Sequence, residues 1–135
     1  MSKKEIVLAF DTSNYTTSLA ILSSDGELLG NLKRPLTVKE GARGLRQSDA
    51  VFLHTVNIPD LMREAAPIFS DGCIVAVGVS EKPRNVEGSY MPCFLAGVAS
   101  AESVSAVMGV PIYKFSHQCG HIMAALYSSE NLGLL

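Results

Sequence analysis

The stretch that decides the fold is Ile6-Val7-Leu8-Ala9-Phe10-Asp11-Thr12-Ser13, a compact apolar run that leads into a polar turn. Such a run predicts a β-strand buried on both faces. A carboxylate at the end of a buried strand, followed by a turn rich in hydroxyls, can hold a magnesium-bound phosphate. Asp11, Thr12 and Ser13 are therefore candidate nucleotide-binding residues. The alternative is an ordinary hairpin turn, because Asp, Ser, Thr and Asn all favour turns.

Outward from this strand, the sequence predicts seven more elements. In chain order they are strands over Thr16–Leu22 and Glu27–Leu36, a helix from Ser48 that Pro59 interrupts or kinks, a strand over Cys73–Val79, a helix over Cys93–Met108, a strand over Ile112–Phe115 and a helix over His117–Tyr127. This order predicts an α/β fold with a mixed five-stranded sheet and helices on both faces. The first, fourth and fifth strands are expected to run parallel, joined by right-handed crossovers.

Polar clusters follow each of the three strands that are expected to be parallel. They are Asp11–Ser13, Ser80–Glu81 and Ser116–His117. Ligands of such sheets gather at the carboxyl ends of the parallel strands. The three clusters are therefore expected to converge at one edge and to form a functional site.

A second motif lies in the last predicted helix, where His117 and His121 are four residues apart. Residues at this spacing share a helix face, with Cβ atoms about 5–6 Å apart. Two such imidazoles can bind one metal ion, but at least one more protein ligand is needed. Cys119 lies roughly 200° around the helix from His117 and cannot join them. The alternative is that His117 caps the helix and His121 packs in the interior.

The composition of the chain limits which classes of partner and which cellular compartment are expected. The chain has 135 residues, enough for one domain, and a net charge of −2, which gives no electrostatic footprint for nucleic acid. RNA contact would need another polypeptide or the basic stretch Lys33–Arg46, for which the alternative is a solvated hairpin and loop. The three cysteines match no zinc-ribbon spacing, no signal peptide is seen, and no apolar run approaches the roughly 20 residues of a membrane span. These features predict a reduced, cytoplasmic protein without membrane contact.

Taken together, these motifs resemble the Gcp/TsaD/Kae family, also called the sialoglycoprotein endopeptidase or glycoprotease family. Asp11–Leu22 is similar to its first phosphate loop and the strand that follows. Gly88–Val98 resembles its Gly-Ser-Leu-Leu-Val-Gly-Val stretch, and Pro111–His121 resembles a strand followed by the His-x-Glu-Gly-His metal motif. His54 falls where the family has a histidine in its first long helix, although a structural role for His54 is also expected.

The resemblance implies an actin/Hsp70-like ATPase (ribonuclease-H-like) fold, with residues 1–135 as an N-terminal half-domain and the C-terminal half absent. It implies transfer of a threonylcarbamoyl group from its adenylate to adenosine next to the tRNA anticodon. In the full-length protein, His117 and His121 would hold iron or zinc, and Asp11, Thr12 and Ser13 would bind ATP or the adenylate with magnesium. The implied partners are the C-terminal half, a second copy or a TsaB-like protein, and tRNA only in the full-length assembly.

The chain also departs from the family pattern. Tyr15-Thr16 replaces two aspartates, Cys119 replaces the glutamate of the metal motif, and Glu102 replaces a lysine; Tyr90–Cys93 is an insertion. These departures indicate a divergent paralogue and leave open a non-catalytic scaffold that pairs through this domain. A metallopeptidase is a third alternative from the family's older name, although no general-base glutamate of a His-Glu-x-x-His motif lies between the histidines.

Overall fold

The computed structural model of the chain describes residues 4–13, 15–37, 46–83 and 91–116. In these ranges the elements are β1 (Lys4–Asp11), β2 (Thr16–Ser23), β3 (Leu28–Pro35), α1 (Gln47–Ser70), β4 (Gly72–Lys82), α2 (Phe94–Met108) and β5 (Ile112–Ser116). The strands form one sheet in the order β3-β2-β1-β4-β5. β1 is antiparallel to β2 and parallel to β4, and β4 is parallel to β5. The predicted α/β fold with a mixed five-stranded sheet is confirmed.

The hydrophobic core lies between the sheet and the two described helices. Alternate side chains of β1 point into it, because successive side chains of a strand face opposite sides of the sheet. The fully or almost fully buried core residues include Ile6, Leu8, Phe10, Leu19, Ile21, Leu61, Ala65, Val77, Val79 and Ala101. Helices α1 and α2 also contact each other. The helix predicted over His117–Tyr127 lies outside the described residues.

Helix α1 continues through Pro59 and Pro67, so of the two predicted effects of Pro59, an interruption or a kink, the interruption is not observed. A proline inside a helix removes one backbone hydrogen bond and frees a carbonyl four residues earlier. Both prolines are exposed, so water can bond to the freed carbonyls. Ile58 and Leu61 are buried against the sheet and hold the helix in place.

Helix α2 ends where the sequence predicts. Gly109 adopts the left-handed conformation with φ 67°, and its N–H donates to the carbonyl of Ser105. This is the usual glycine C-cap of a helix, and it turns the chain into β5. Neither α1 nor α2, the helices that the described ranges contain, combines the length and apolar character that crossing a bilayer requires.

Arg34 links the outer strand β3 to helix α1. Its Nη1 lies 3.4 Å from Oδ2 of Asp60, and its Nη2 lies 2.6 Å from Oε1 of Glu64. Exposed pairs of this kind each contribute about 0–1 kcal/mol. Arg34 belongs to the basic stretch considered for RNA contact, and its guanidinium is used to join two elements of the fold.

Candidate functional site

The polar turn after β1 is built around the carboxylate of Asp11. The N–H of Ser13 donates to Oδ1 at 2.8 Å, and Oγ of Ser80 donates to Oδ2 at 3.0 Å. Ser80 is buried near the carboxyl end of β4. Two of the three polar clusters that the sequence placed at this edge are therefore in direct contact. In the third cluster, Ser116 is buried at the end of β5, whereas His117 lies outside the described residues.

Thr12 fastens this turn to the start of α2. Its side chain is fully buried, and Oγ1 donates to the carbonyl of Cys93 at 2.9 Å and accepts from the N–H of Gly97 at 3.1 Å. The N–H of Cys93 in turn donates to Oε1 of Gln47, at the start of α1, at 3.0 Å. The Thr12 hydroxyl thus serves the protein interior, and a contact between Thr12 and phosphate stays a prediction.

Gly97 permits this close approach of helix and turn. A Cβ atom at position 97 would lie 2.9 Å from Oγ1 and 3.3 Å from Cγ2 of Thr12. The sequence predicted a helix over Cys93–Met108, but the partner of Gly97 in that helix could not be read from the sequence. Thr12 lies 85 residues away along the chain, and only the fold brings the two together.

A second buried polar group fixes the start of β2. Thr17 Oγ1 lies 2.8 Å from Nδ1 of His54, and the Nδ2 group of Asn57 donates to the same oxygen at 3.2 Å. Thr17 and His54 are both fully buried. Buried polar groups of this kind are tolerated because they bond to each other. The structure therefore gives His54 the structural role that the sequence analysis expected.

The metal motif cannot be placed in the same way. His117, Cys119 and His121, and the loop Glu87–Ser89, lie outside the described residues. Within the ranges that the structure does describe, no group of three or more His, Cys, Asp or Glu side chains could hold a metal ion. Strand β5 ends at Ser116, at the same edge as Asp11 and Ser80, and His117 follows it directly. The metal assignment stays a prediction.

Glu102, which replaces a lysine of the family pattern, forms an ion pair between α2 and β5. Its Oε1 lies 2.6 Å from Nζ of Lys114. The hydrogen bond to Glu102 raises the pKa of Lys114 above its usual value. The positive charge thus sits on the strand and the negative charge on the helix.

Comparison with known proteins identifies relatives of this chain, although no protein-family model matches it. The tRNA N6-adenosine threonylcarbamoyltransferase of Streptococcus suis (strain 05ZYH33) is 28% identical over 130 residues, which cover 93% of this chain and 37% of that protein. The predicted family resemblance is confirmed. The Streptococcus sanguinis (strain SK36) threonylcarbamoyltransferase is 30% identical over 128 residues, covering 91% of this chain and 36% of that protein. The chain therefore spans little more than a third of the length of these transferases.

A solved structure supports the fold in addition to the sequence relatives. A ROK-family transcriptional regulator, a homologue of the E. coli MLC protein, superposes with a TM-score of 0.50 at 15% identity, over 84% of this chain and 28% of that one. At this identity the likeness concerns the fold alone. The similarity to the threonylcarbamoyltransferases rests on sequence.

Proposed function

We propose that this chain provides the first nucleotide-binding half-domain of a threonylcarbamoyltransferase-like protein that modifies tRNA in the cytoplasm. The observation that carries the proposal is the Asp11 carboxylate, which Ser13 and Ser80 hold at the end of a parallel strand. This carboxylate belongs to a chain that is 28% identical to the tRNA N6-adenosine threonylcarbamoyltransferase of Streptococcus suis, in an alignment that covers 93% of the present chain. In the proposed reaction, N6 of an adenosine attacks the carbonyl carbon of the threonylcarbamoyl adenylate. The new C–N bond forms, the bond from that carbon to the phosphate oxygen breaks, AMP leaves and N6 loses a proton.

Within this proposal the residues of the turn bind the phosphates of ATP or of the adenylate. Asp11 would hold the magnesium ion that accompanies the phosphates, and this ion would neutralise part of the phosphate charge. Ser13 follows Asp11 at the open end of the strand and is the proposed phosphate contact. Thr12 holds the turn against α2 and so keeps Asp11 and Ser13 in place.

Asp11→Asn tests the nucleotide site. The amide keeps an oxygen that can accept a hydrogen bond but removes the negative charge that a magnesium ion prefers. We expect the affinity for magnesium–ATP, measured by isothermal titration calorimetry, to fall about tenfold or more, as for loss of a hydrogen-bonded charge. Asp25→Asn, in the turn between β2 and β3 at the opposite end of β2, is the matched control and should bind like the wild type. Equal affinities of Asp11→Asn and the wild type would contradict the proposal.

The proposed metal ligands are His117 and His121, which suit zinc or iron. The metal would supply polarisation of the threonylcarbamoyl carbonyl. Two imidazoles leave the ligand set incomplete, so at least one further ligand is required. His117 directly follows β5 in the sequence, and β5 ends at the edge that carries Asp11 and Ser80, which supports this proposal.

The two histidines predict weak zinc binding by this chain. We expect zinc affinity, measured by competition with a chromophoric chelator, to be weak in the wild type and abolished in His121→Ala. Cys73→Ser is the control, because Cys73 is an exposed free thiol at the other end of the sheet and its loss should not change zinc binding. Tight zinc binding that survives His121→Ala would exclude the ligand assignment.

The second candidate function is a non-catalytic scaffold that pairs through this domain with a second copy or a TsaB-like protein. The observation that favours it is Glu102, which occupies a lysine position of the family and is paired with Lys114. A scaffold should self-associate in sedimentation experiments without binding magnesium–ATP or zinc, whereas the half-domain of an enzyme should bind both. The metallopeptidase alternative stays a prediction that none of the described contacts supports.

A further inference from the structure

Ser80 is a buried hydroxyl at the edge of the sheet that carries the candidate site. Ser80 is 1% exposed to solvent. Its Oγ donates to Oδ2 of Asp11 at 3.0 Å, across the boundary between β4 and β1. On the other side, Ser80 pairs with Phe115 of β5. The ladder between β1 and β4 ends one residue earlier, at Val79, so the pairing with β5 is what the register shows for the backbone of Ser80.

The pairing of β4 with β5 changes immediately after Ser80. Ser80 lies opposite Phe115, and Lys82 lies opposite Ser116, so Glu81 is one extra residue on β4. Such bulges redirect the chain and are frequent beside functional sites. Ser80 is therefore the last residue of β4 in the regular part of its ladder with β5.

The Ser13 N–H and the Ser80 hydroxyl, both donors to the Asp11 carboxylate, differ in what anchors them. The N–H of Ser13 belongs to the turn itself, two residues after Asp11, and moves with it. The hydroxyl of Ser80 comes from a different strand, 69 residues away along the chain. The hydroxyl of Ser80 thus links the direction of the carboxylate to a second strand of the sheet.

We infer that Ser80 is a positioning residue of the nucleotide site, which orients the Asp11 carboxylate for the cation on a nucleotide phosphate. The inference rests on the proposed nucleotide binding by the Asp11 turn. Ser80 acts through Asp11 and does not itself need to touch the ligand. A hydrogen bond from a hydroxyl to a carboxylate is charge-assisted and stronger than one between neutral groups, so its loss should release the carboxylate.

Three variants of the full chain test this role. Ser80→Ala removes the hydroxyl, Ser80→Thr keeps it, and Ser103→Ala removes an exposed hydroxyl that bonds to its own helix at the carbonyl of Ala99. We expect Ser80→Ala to bind magnesium–ATP about tenfold more weakly than the wild type, the effect of one hydrogen bond to a charged group. Ser80→Thr should restore most of the affinity, and Ser103→Ala should not change it.

A second readout needs no nucleotide. Because Asp11 also accepts from the Ser13 N–H, a released carboxylate should expose that amide, and its hydrogen exchange should be several-fold faster in Ser80→Ala but unchanged in Ser103→Ala. Wild-type exchange at Ser13 in Ser80→Ala, or an equal loss of affinity in Ser80→Ala and Ser80→Thr, would overturn the inference. If the wild type binds no magnesium–ATP, the proposed function fails, and the exchange rates still decide whether Ser80 positions Asp11.

Discussion

Gly97→Ala is expected to destabilise the protein by about 1–3 kcal/mol, the usual cost of overpacking a tight contact. In an ordinary helix interior the same substitution would stabilise by roughly 0.5–1 kcal/mol, because alanine is the better helix former. Here the new methyl group would lie 2.9 Å from Thr12 Oγ1, a buried atom with little room to move. The substitution should therefore displace the turn that carries Asp11 and weaken magnesium–ATP binding as well. Urea denaturation measures the first effect and calorimetry the second.

Two further variants show whether the contact with Thr12 is responsible. Ser103→Ala, on the exposed side of the same helix, should be neutral or slightly stabilising. In the double variant Thr12→Ala and Gly97→Ala, the obstructing hydroxyl is absent, so the cost should be smaller than the sum of the two single costs. A Gly97→Ala protein more stable than the wild type would contradict the packing described for this contact.

His54→Ala is expected to lower the free energy of unfolding by about 2–4 kcal/mol, from the cavity it leaves and the hydrogen bond it removes. The side chain is fully buried in α1, and its Nδ1 lies 2.8 Å from Thr17 Oγ1. Urea denaturation monitored by circular dichroism measures the loss. Because the histidine anchors the start of β2 to α1, that strand should also exchange its amide hydrogens faster.

Thr55→Ala is the matched control for His54→Ala. Thr55 is the next residue in the helix, but it is exposed and its hydroxyl bonds to the carbonyl of Val51 in its own helix. Exposed substitutions of this kind change stability by about 0.5 kcal/mol or less. A His54→Ala protein within that margin of the wild type would show that the buried contact with Thr17 is not structural.

The local part of the fold could be predicted from the sequence because its signals are local. The apolar run before Asp11 predicted β1, and Gly109 predicted the end of α2. The expected parallel arrangement of β1, β4 and β5 is also observed. It followed from the alternation of strands and helices, which leaves few ways to arrange a sheet.

The remaining features depend on which side chains meet in three dimensions. Pro59 predicted an interruption or a kink of α1, but the helix is not interrupted, because the buried residues on the opposite side of the helix outweigh one lost backbone hydrogen bond. The sequence could not show that the Thr12 hydroxyl bonds to Cys93 and Gly97, and the predicted contact between Thr12 and phosphate stays a prediction. A turn that contains a threonine has the same sequence whether the threonine hydroxyl bonds to a phosphate or to a helix. The bonds that the structure shows depend on the approach of α2, which Gly97 allows.

The attachment of Thr12 to α2 has a mechanical consequence. Helix α2 has 15 residues, which corresponds to a length of about 22 Å at a rise of 1.5 Å per residue. The N-terminal end of α2 is joined to the turn by two hydrogen bonds of Thr12 and by the close contact between Thr12 and Gly97. Its far end carries Val107, 85% exposed to solvent. Because these contacts join the turn to the first residues of α2, a displacement of the turn would also displace the helix, including its exposed end at Val107.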